Sequence, residues 1–225
     1  MMSEILFAVS FLAIGYCFGC FSTGYFVGKM NGTDIRSQGS GNIGTTNALR
    51  TMGAKGGIIT FAGDLLKAFI PTLAVRFLFC TYMGYEEALT YLMTLVIGLG
   101  VVIGHNFPFY LKFKGGKGIA VSAAVIVASS TSGKIGLIII GIGLLVFILI
   151  VAATRYVSLG SLIVVWYFPV FTFLQYKESR YFPVLIIISL LFTALAYIKH
   201  AGNIRRLLNG TERKFGEKKE KKENE

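Results

Sequence analysis

The chain has 225 residues, 54% of them apolar, and carries 22 Lys and Arg against 11 Asp and Glu, a formal net charge of +11. Its mean hydropathy of +0.68, with the apolar residues gathered in blocks, excludes an ordinary soluble domain, in which about half the residues are apolar and charges balance. Several blocks approach the ~20 residues a helix needs to cross ~30 Å of hydrocarbon, so the sequence predicts an all-α polytopic integral membrane protein.

The predicted spans are 4–28, 57–79, 89–106, 118–132, 135–154, 159–176 and 182–200, about seven transmembrane helices. The first begins Met-Met-Ser-Glu with no basic region and runs to Val27 with no small-residue cleavage site, which predicts a retained span rather than a secretory signal. Cys17, Cys20 and Cys80 all sit in apolar blocks, an odd set that argues against a disulfide framework and a zinc site alike. The fourth span is short and carries Ser122, Ser129 and Ser130, as a helix covered by its neighbours would. With seven spans, all basic residues except Arg76, Lys134, Lys177 and Arg180, 18 of the 22, fall on one face. That face is expected to be cytoplasmic, with the N-terminus outside and the C-terminus in the cytoplasm.

Between the first two spans, Gly39, Gly41 and Gly44 flank Ser40 and Asn42, and Thr45, Thr46 and Asn47 follow, with Arg36 and Arg50 on either side. Long loops in compact proteins are usually functional or disordered, and this composition is not that of a disordered tail. It reads as an anion or polyol site, or as a structured loop in which residues 45–47 cap a short helix over 48–52. Asp64 and Lys67, three apart on one face of the second span, read as an intramembrane pair that positions the neighbouring loop, with a direct catalytic role as the alternative.

The stretch 104–119 is the densest signal. Lys112, Lys114 and Lys117 surround Gly115-Gly116, and Gly118 closes the segment. Glycine backbone lets consecutive N–H groups turn toward an anion, and a helix starting near Gly118 points its amino end at the same place. The spacing is not that of a P-loop, and an ordinary basic loop obeying membrane topology accounts for the same residues. His105, at a span end beside Asn-Phe-Pro, reads as a helix-end hydrogen-bonding group. Arg155 with Ser158 and Ser161 at a helix start forms another potential anion contact. After the last span, Arg205, Arg206 and the following leucines fit an interfacial basic helix, which leaves His200 and Asn203 unexplained. Residues 216–225 alternate Lys and Glu and are expected to form a charged, disordered cytoplasmic tail behind a single domain, 1–215.

Absences narrow the chemistry further. Neither histidine is followed four residues later by aspartate, and there is no Gly-x-Ser-x-Gly elbow, no His-Glu-x-x-His and no carboxylate cluster for two metals. No metal and no cofactor are expected. Positive charge, hydroxyls and backbone N–H groups are plentiful, and such groups bind phosphates and stabilise developing negative charge.

Four motifs, in order, cover nearly the whole chain. They are Gly39-Ser40-Gly41-Asn42-x-Gly44-x-Thr46-Asn47; Gly104-His105-x-Phe107-Pro108 with Phe113-Lys114-Gly115-Gly116-Lys117-Gly118; Arg155-Tyr156-Val157-Ser158-Leu159; and His200-x-x-Asn203-Ile204-x-Arg206-Leu207 with Gly210-x-Glu212-x-Lys214. Together they resemble the bacterial membrane-integral acyl-phosphate:glycerol-3-phosphate acyltransferases, with Thr45 as a small departure where that family often has alanine. The resemblance implies acyl transfer from a long-chain acyl phosphate to the 1-hydroxyl of glycerol-3-phosphate, giving lysophosphatidic acid and phosphate, the first acylation of bacterial phospholipid synthesis. It implies a multi-pass protein of the bacterial cytoplasmic membrane, with its site on the cytoplasmic face and the bilayer and two substrates as partners, and no nucleic acid. Carried onto this chain, it has Gly115, Gly116 and Lys117 holding the phosphate of glycerol-3-phosphate, with Lys112, Lys114, Gly118 and Arg155 in the same substrate-binding set. Ser158 and Ser161 join that clamp, Ser40, Thr46, Asn47 and Arg50 line the reaction centre, and His200 and Asn203 are needed for turnover. Glu212 is implied to be structural. A transporter of small organic phosphates is the rival reading, but transporters place polar groups near the midplane between repeated halves, and here they crowd one face. A lipid-anchored scaffold leaves the motifs without explanation.

Overall fold

The computed structural model describes residues 2–130 and 133–216, without the side chains of 133 and 134, and every regular element among them is helical. The expected tail therefore lies outside the described residues except for Gly216, as do positions 131 and 132 of the fourth expected span. In order, the helices are α1 (Met2–Cys20), α2 (Thr23–Met30), α3 (Thr45–Leu73, continued as a π-helical stretch over Ala74–Cys80), α4 (Glu87–Asn106), α5 (Ile119–Ser130), α6 (Gly133–Thr154), α7 (Val157–Val164), α8 (Tyr167–Tyr176), α9 (Phe182–Lys199) and α10 (Ala201–Leu208). Among the described residues, six segments are long and apolar enough to cross a membrane: Met2–Met30, Thr45–Cys80, Glu87–Leu111, Ile135–Thr154, Val157–Tyr176 and Phe182–Lys199.

α4 is the central post. Its residues are buried without interruption from Leu89 to Val102, with α1, α3, α5 and α9 packed around it. α1 lies against α4 backbone to backbone. A Cβ on Gly15 would collide with the carbonyl of Ile97 and one on Gly19 with that of Val101; Gly100 and Gly104 of α4 meet the carbonyls of Leu12 and Tyr16 in return. Small residues are how helices approach closely in lipid, where burial of apolar surface gives no net drive. On the outside, α6 exposes Ile135, Leu137, Ile138, Ile142, Leu144, Leu145, Ile148 and Leu149, a lipid-facing composition.

The helices run alternately between two ends. At one end Phe7 and Phe11 of α1 meet Phe79 edge-on, Arg76 pairs with Glu87 at 2.9 Å, and Arg180 pairs with Glu86 at 2.9 Å. The segment before α3, the α4–α5 loop, the α6–α7 junction and everything after α9 gather at the other end. α5 runs in the same sense as α3 but has only 12 residues, ~18 Å of helix. Its far end is met from within the bundle, where buried Arg76 donates to the carbonyl of Ser129 at 2.7 Å. Val121, Ser122, Ala124 and Val125 are buried, so this short helix is covered by protein.

Three expected continuous elements are interrupted, each for a local reason. The first span breaks at Phe21-Ser22, where the Cys20 carbonyl takes the hydroxyl of Tyr110 (2.8 Å) and the Phe21 carbonyl takes the ammonium of Lys67 (2.8 Å). The second span begins twelve residues early, at Thr45, and kinks at Gly53 (φ 71°, ψ −171°); past Pro71 it widens into the π-helical stretch. The expected cap by residues 45–47 is not used: Gly44 occupies the cap position with no side-chain bond. The sixth span bends at Val165–Trp166 between α7 and α8, and there the Val165 carbonyl takes the Thr193 hydroxyl of α9.

Because α1 and α4 touch through backbone, Gly19→Val or Gly104→Leu should lower the thermal midpoint of the detergent-purified protein by about 10 °C or more, or abolish the folded peak in size-exclusion chromatography. Gly141→Ala on α6, with open space around it, should leave the midpoint unchanged. An equal shift for all three would refute backbone-to-backbone packing as the cause.

Candidate active site

The loop after α4 folds back onto the helix it leaves. Lys112 and Phe113 take left-handed backbone (φ 54° and 59°), and the returning chain donates Gly115 N–H to the Asn106 carbonyl (3.1 Å) and Gly116 N–H to the His105 carbonyl (3.0 Å). These are the two N–H groups expected to face an anion, and they face the last turn of α4 instead. That turn has carbonyls with no intrahelical partner, and the glycines are the nearest donors. Neither position admits a side chain: a Cβ at 115 would strike the His105 carbonyl and one at 116 the His105 ring. Gly118 (φ 78°) then leads into α5, its carbonyl accepting Ser122 N–H at 2.7 Å. The N–H groups of Ile119 to Val121 are left with no intrahelical acceptor, at the positive end of the helix dipole. Lys117 stands beside them, whereas Lys112 and Lys114 are exposed.

Lys117 joins a network centred on Glu212 and drawn from four segments. Its ammonium donates to Asn203 Oδ1 (2.5 Å), and Asn203 Nδ2 donates to Glu212 Oε1 (2.5 Å). The same carboxylate accepts from Ser158 Oγ (2.8 Å) and from Arg206 Nε (2.7 Å). Burial opposes the charge on Glu212, but its hydrogen bonds from Asn203, Ser158 and Arg206 outweigh that and hold its pKa below the ordinary carboxylate value. Burial also drives the Lys117 ammonium down to about 8, with Glu212 opposing and Arg206, Arg50 and Lys199 adding to the fall. His200 is buried and its Nδ1–H donates to the Ala196 carbonyl at 2.8 Å, leaving Nε2 as an acceptor. Burial and the neighbouring Lys117 push its pKa down to about 4, so the ring is neutral at pH 7.

The first glycine-rich loop is organised by Asn47. Its Oδ1 accepts Ser40 N–H (2.8 Å) while its Nδ2 donates to the carbonyls of Ile35 (3.2 Å) and Gln38 (3.1 Å). Buried Asn47 is thus spent on loop backbone and leaves Ser40 exposed at the turn. Asp34 and Arg36 form their own ion pair (2.8 Å) at the surface. Arg50, one turn along α3, is close enough to act on Lys117.

The structure therefore brings Arg50, Lys117, Ser158, His200 and Asn203 to one place, with Ser40 and Thr46 on the loop and helix start beside Asn47. It sets others apart. Arg155 (φ 61°) is clasped to the C-terminal segment, donating to the Phe215 carbonyl at 2.9 and 3.1 Å while Phe215 N–H returns a bond to its own carbonyl. Ser161 donates to the Val157 carbonyl one turn back. Lys199 and Arg206 were not singled out as site residues by sequence, yet Lys199 holds the Asn106 carbonyl at 2.9 Å and Arg206 neutralises Glu212. Their positions, next to His200 and three after Asn203, were the available signal. Among the described residues no group of three or more His, Cys, Asp or Glu could hold a metal ion.

Comparison with known proteins adds independent findings. A family model described as Glycerol-3-phosphate acyltransferase matches residues 9–210. The glycerol-3-phosphate acyltransferase of Clostridioides difficile (strain 630) is 40% identical over 218 residues, 96% of this chain and 100% of that protein. Its counterpart in Geobacter sulfurreducens is 37% identical over 215 residues, 96% of this chain and 99% of that one. Among solved structures, PlsY (YgiH), an integral membrane glycerol 3-phosphate acyltransferase, in its glycerol 3-phosphate form superposes with a TM-score of 0.77 at 33% identity, covering 93% of this chain and 96% of that chain.

If Glu212 fastens the C-terminal segment, Glu212→Ala should free residues 209–216, and trypsin should cut after Arg213 or Lys214 at least about tenfold faster than in the parent. Equal cleavage rates would show that the carboxylate is not the fastening.

Proposed function

Because this chain belongs to the glycerol-3-phosphate acyltransferase family, we propose that it transfers an acyl group from a long-chain acyl phosphate to the 1-hydroxyl of glycerol-3-phosphate, giving lysophosphatidic acid and phosphate. The observation that carries this reading is the convergence of Lys117, Asn203, Ser158 and Arg206, from three separate segments, around one anion, the Glu212 carboxylate. A place so rich in donors, beside the open first turn of α5, suits phosphate groups.

In this proposal Lys117 and the first turn of α5 take the phosphate of glycerol-3-phosphate. Arg50, Ser40 and Thr46 meet the acyl phosphate from the α3 side, and Asn47 acts by fixing the loop. The exposed Lys112 and Lys114 contribute long-range attraction for anions rather than contacts. His200 accepts the substrate hydroxyl through Nε2, and Asn203 relays the position of Lys117. Arg155 and Ser161 serve the scaffold. The hydroxyl oxygen attacks the acyl carbon, the bond from that carbon to the phosphate oxygen breaks, and the alcohol proton leaves on the phosphate. The donor is a mixed anhydride, already activated, so no protein nucleophile is needed and orientation supplies most of the acceleration. A ring whose pKa is about 4 is a weak proton acceptor but a competent hydrogen-bond acceptor, which assigns His200 to orientation.

We place the site on the cytoplasmic face of a bacterial cytoplasmic membrane, because the site end carries most of the basic residues, and we treat residues 1–215 as one functional unit.

The purified protein should release phosphate from palmitoyl phosphate only when glycerol-3-phosphate is added, with lysophosphatidic acid formed in equal amount; no stimulation by glycerol-3-phosphate would defeat the proposal. Lys117→Ala should raise KM for glycerol-3-phosphate at least about tenfold with little change in KM for the acyl donor. Gly116→Leu should do the same if it folds, since the new side chain displaces the His105 ring. The pH profile follows from the two shifted groups. Lys117 is charged below its pKa and loses its proton as pH rises through about 8, so kcat/KM for glycerol-3-phosphate should fall above about 8. His200 should contribute no limb near 6.5, because it stays neutral down to about 4; a limb at about 6 belongs to the second ionisation of the substrate phosphate.

A further inference from the structure

Beneath the loop lie three buried ionisable groups that the proposed reaction does not use. Lys67, Asp64 and His105 have side chains only 3–4% exposed. The Lys67 ammonium donates to the Phe21 carbonyl and to His105 Nδ1 and forms an ion pair with Asp64 Oδ1, each at 2.8 Å. We infer that Lys67 is a positioning residue for the glycerol-3-phosphate site, acting through His105 on Gly116 and so on Lys117; this rests on the reading of that site given above.

An ammonium can only donate, so Nδ1 of His105 accepts and the ring proton sits on Nε2. The other face of His105 grips the loop twice. Its carbonyl takes Gly116 N–H, and its ring fills the space where a side chain at 116 would lie. Gly116 is covalently next to Lys117, so displacement of the ring must carry over to the ammonium that meets Asn203. Lys67 is itself fixed by its other two partners, the carbonyl at the α1–α2 break and the Asp64 carboxylate on α3 one turn back. Three helices therefore determine the place of one imidazole.

Simple fastening of helices does not call for charges here. Buried ion pairs can often be replaced by apolar groups of like volume at no loss of stability, and ionisable residues inside a span are costly. The glycines of α1 and α4 already dock those helices. What the ion pair adds is direction, since a hydrogen-bonded ammonium sets distance and angle where methyl groups set only contact. Lys199 supports the loop from the opposite side through the Asn106 carbonyl, so removing Lys67 should tilt the loop rather than release it.

The test is the full-length enzyme with Asp64→Asn and Lys67→Met combined, which removes both charges together. Expected is a folded protein with a thermal midpoint equal to or above the parent's. Its KM for glycerol-3-phosphate should rise at least about tenfold, and its KM for palmitoyl phosphate should stay within about twofold. His105→Asn, which can still accept from Lys67, should retain more of the parent KM for glycerol-3-phosphate than His105→Leu. A folded double variant with the parent KM, or an equal rise in both KM values, overturns the inference. If the double variant fails to fold, equal KM values for His105→Asn and His105→Leu overturn it instead. A parent enzyme that makes no lysophosphatidic acid at all would be a failure of the proposed function, seen before any variant is measured.

Discussion

A lysine ammonium in the interior of a membrane helix needs hydrogen-bond acceptors and a counter-charge, and the arrangement around Lys67 supplies both. The three partners come from three places: a carbonyl freed where α1 gives way to α2, a carboxylate one turn away on α3, and the imidazole at the end of α4. Each would be costly alone. The broken helix leaves a bare carbonyl, the carboxylate is buried, and the imidazole has a nitrogen facing the bundle. Joined through one cation, they offset one another. The same joint sets how far α4 projects toward the site and where the loop after it turns back.

Two kinds of packing then divide the molecule. Toward the lipid, contact is made through backbone and small residues, and the outer surfaces are plain aliphatic, as on α6. Toward the site, contact is made through donors and acceptors, and positive charge accumulates faster than carboxylates can match it. Glu212 is the local remedy. By accepting from Ser158, Asn203 and Arg206 it draws α7, α10 and the C-terminal segment together, while Arg155 clasps the backbone of Phe215 just beyond. The segment that follows α10 is thereby folded over the site end.

Much of this was legible in the sequence, and the parts that were not have physical reasons. Apolar blocks located the membrane helices, because length and composition alone decide what can cross hydrocarbon. They could not show that α1 breaks at Phe21-Ser22, since the break is stabilised by Lys67 forty-six residues away. Glycine density suggested N–H groups turned toward an anion, but Gly115 and Gly116 are side-chain-free because they lie on His105 and Asn106, and their N–H groups meet the carbonyls there. Asp64 and Lys67 were readable as a pair, but the loop they touch through His105 is the one after α4, not the adjoining loop before α3. Spacing reports neighbours along one helix; it is silent about which distant carbonyl or imidazole completes the set.

The chemistry proposed for this site asks little of the protein in proton transfer and much in placement. A half-buried lysine whose pKa is about 8 remains mostly charged at neutral pH, and the surroundings that lower its pKa also weaken the screening by water. An arriving phosphate restores the charge balance that burial disturbed, and in doing so holds the ammonium protonated. A neutral imidazole beside it can receive a hydroxyl without competing for the phosphate as a cation would. With an activated acyl donor, the remaining barrier is the meeting of one oxygen and one carbon at the right angle. In the reaction proposed, the loop behind Lys117 and the buried joint beneath it serve to place the substrates.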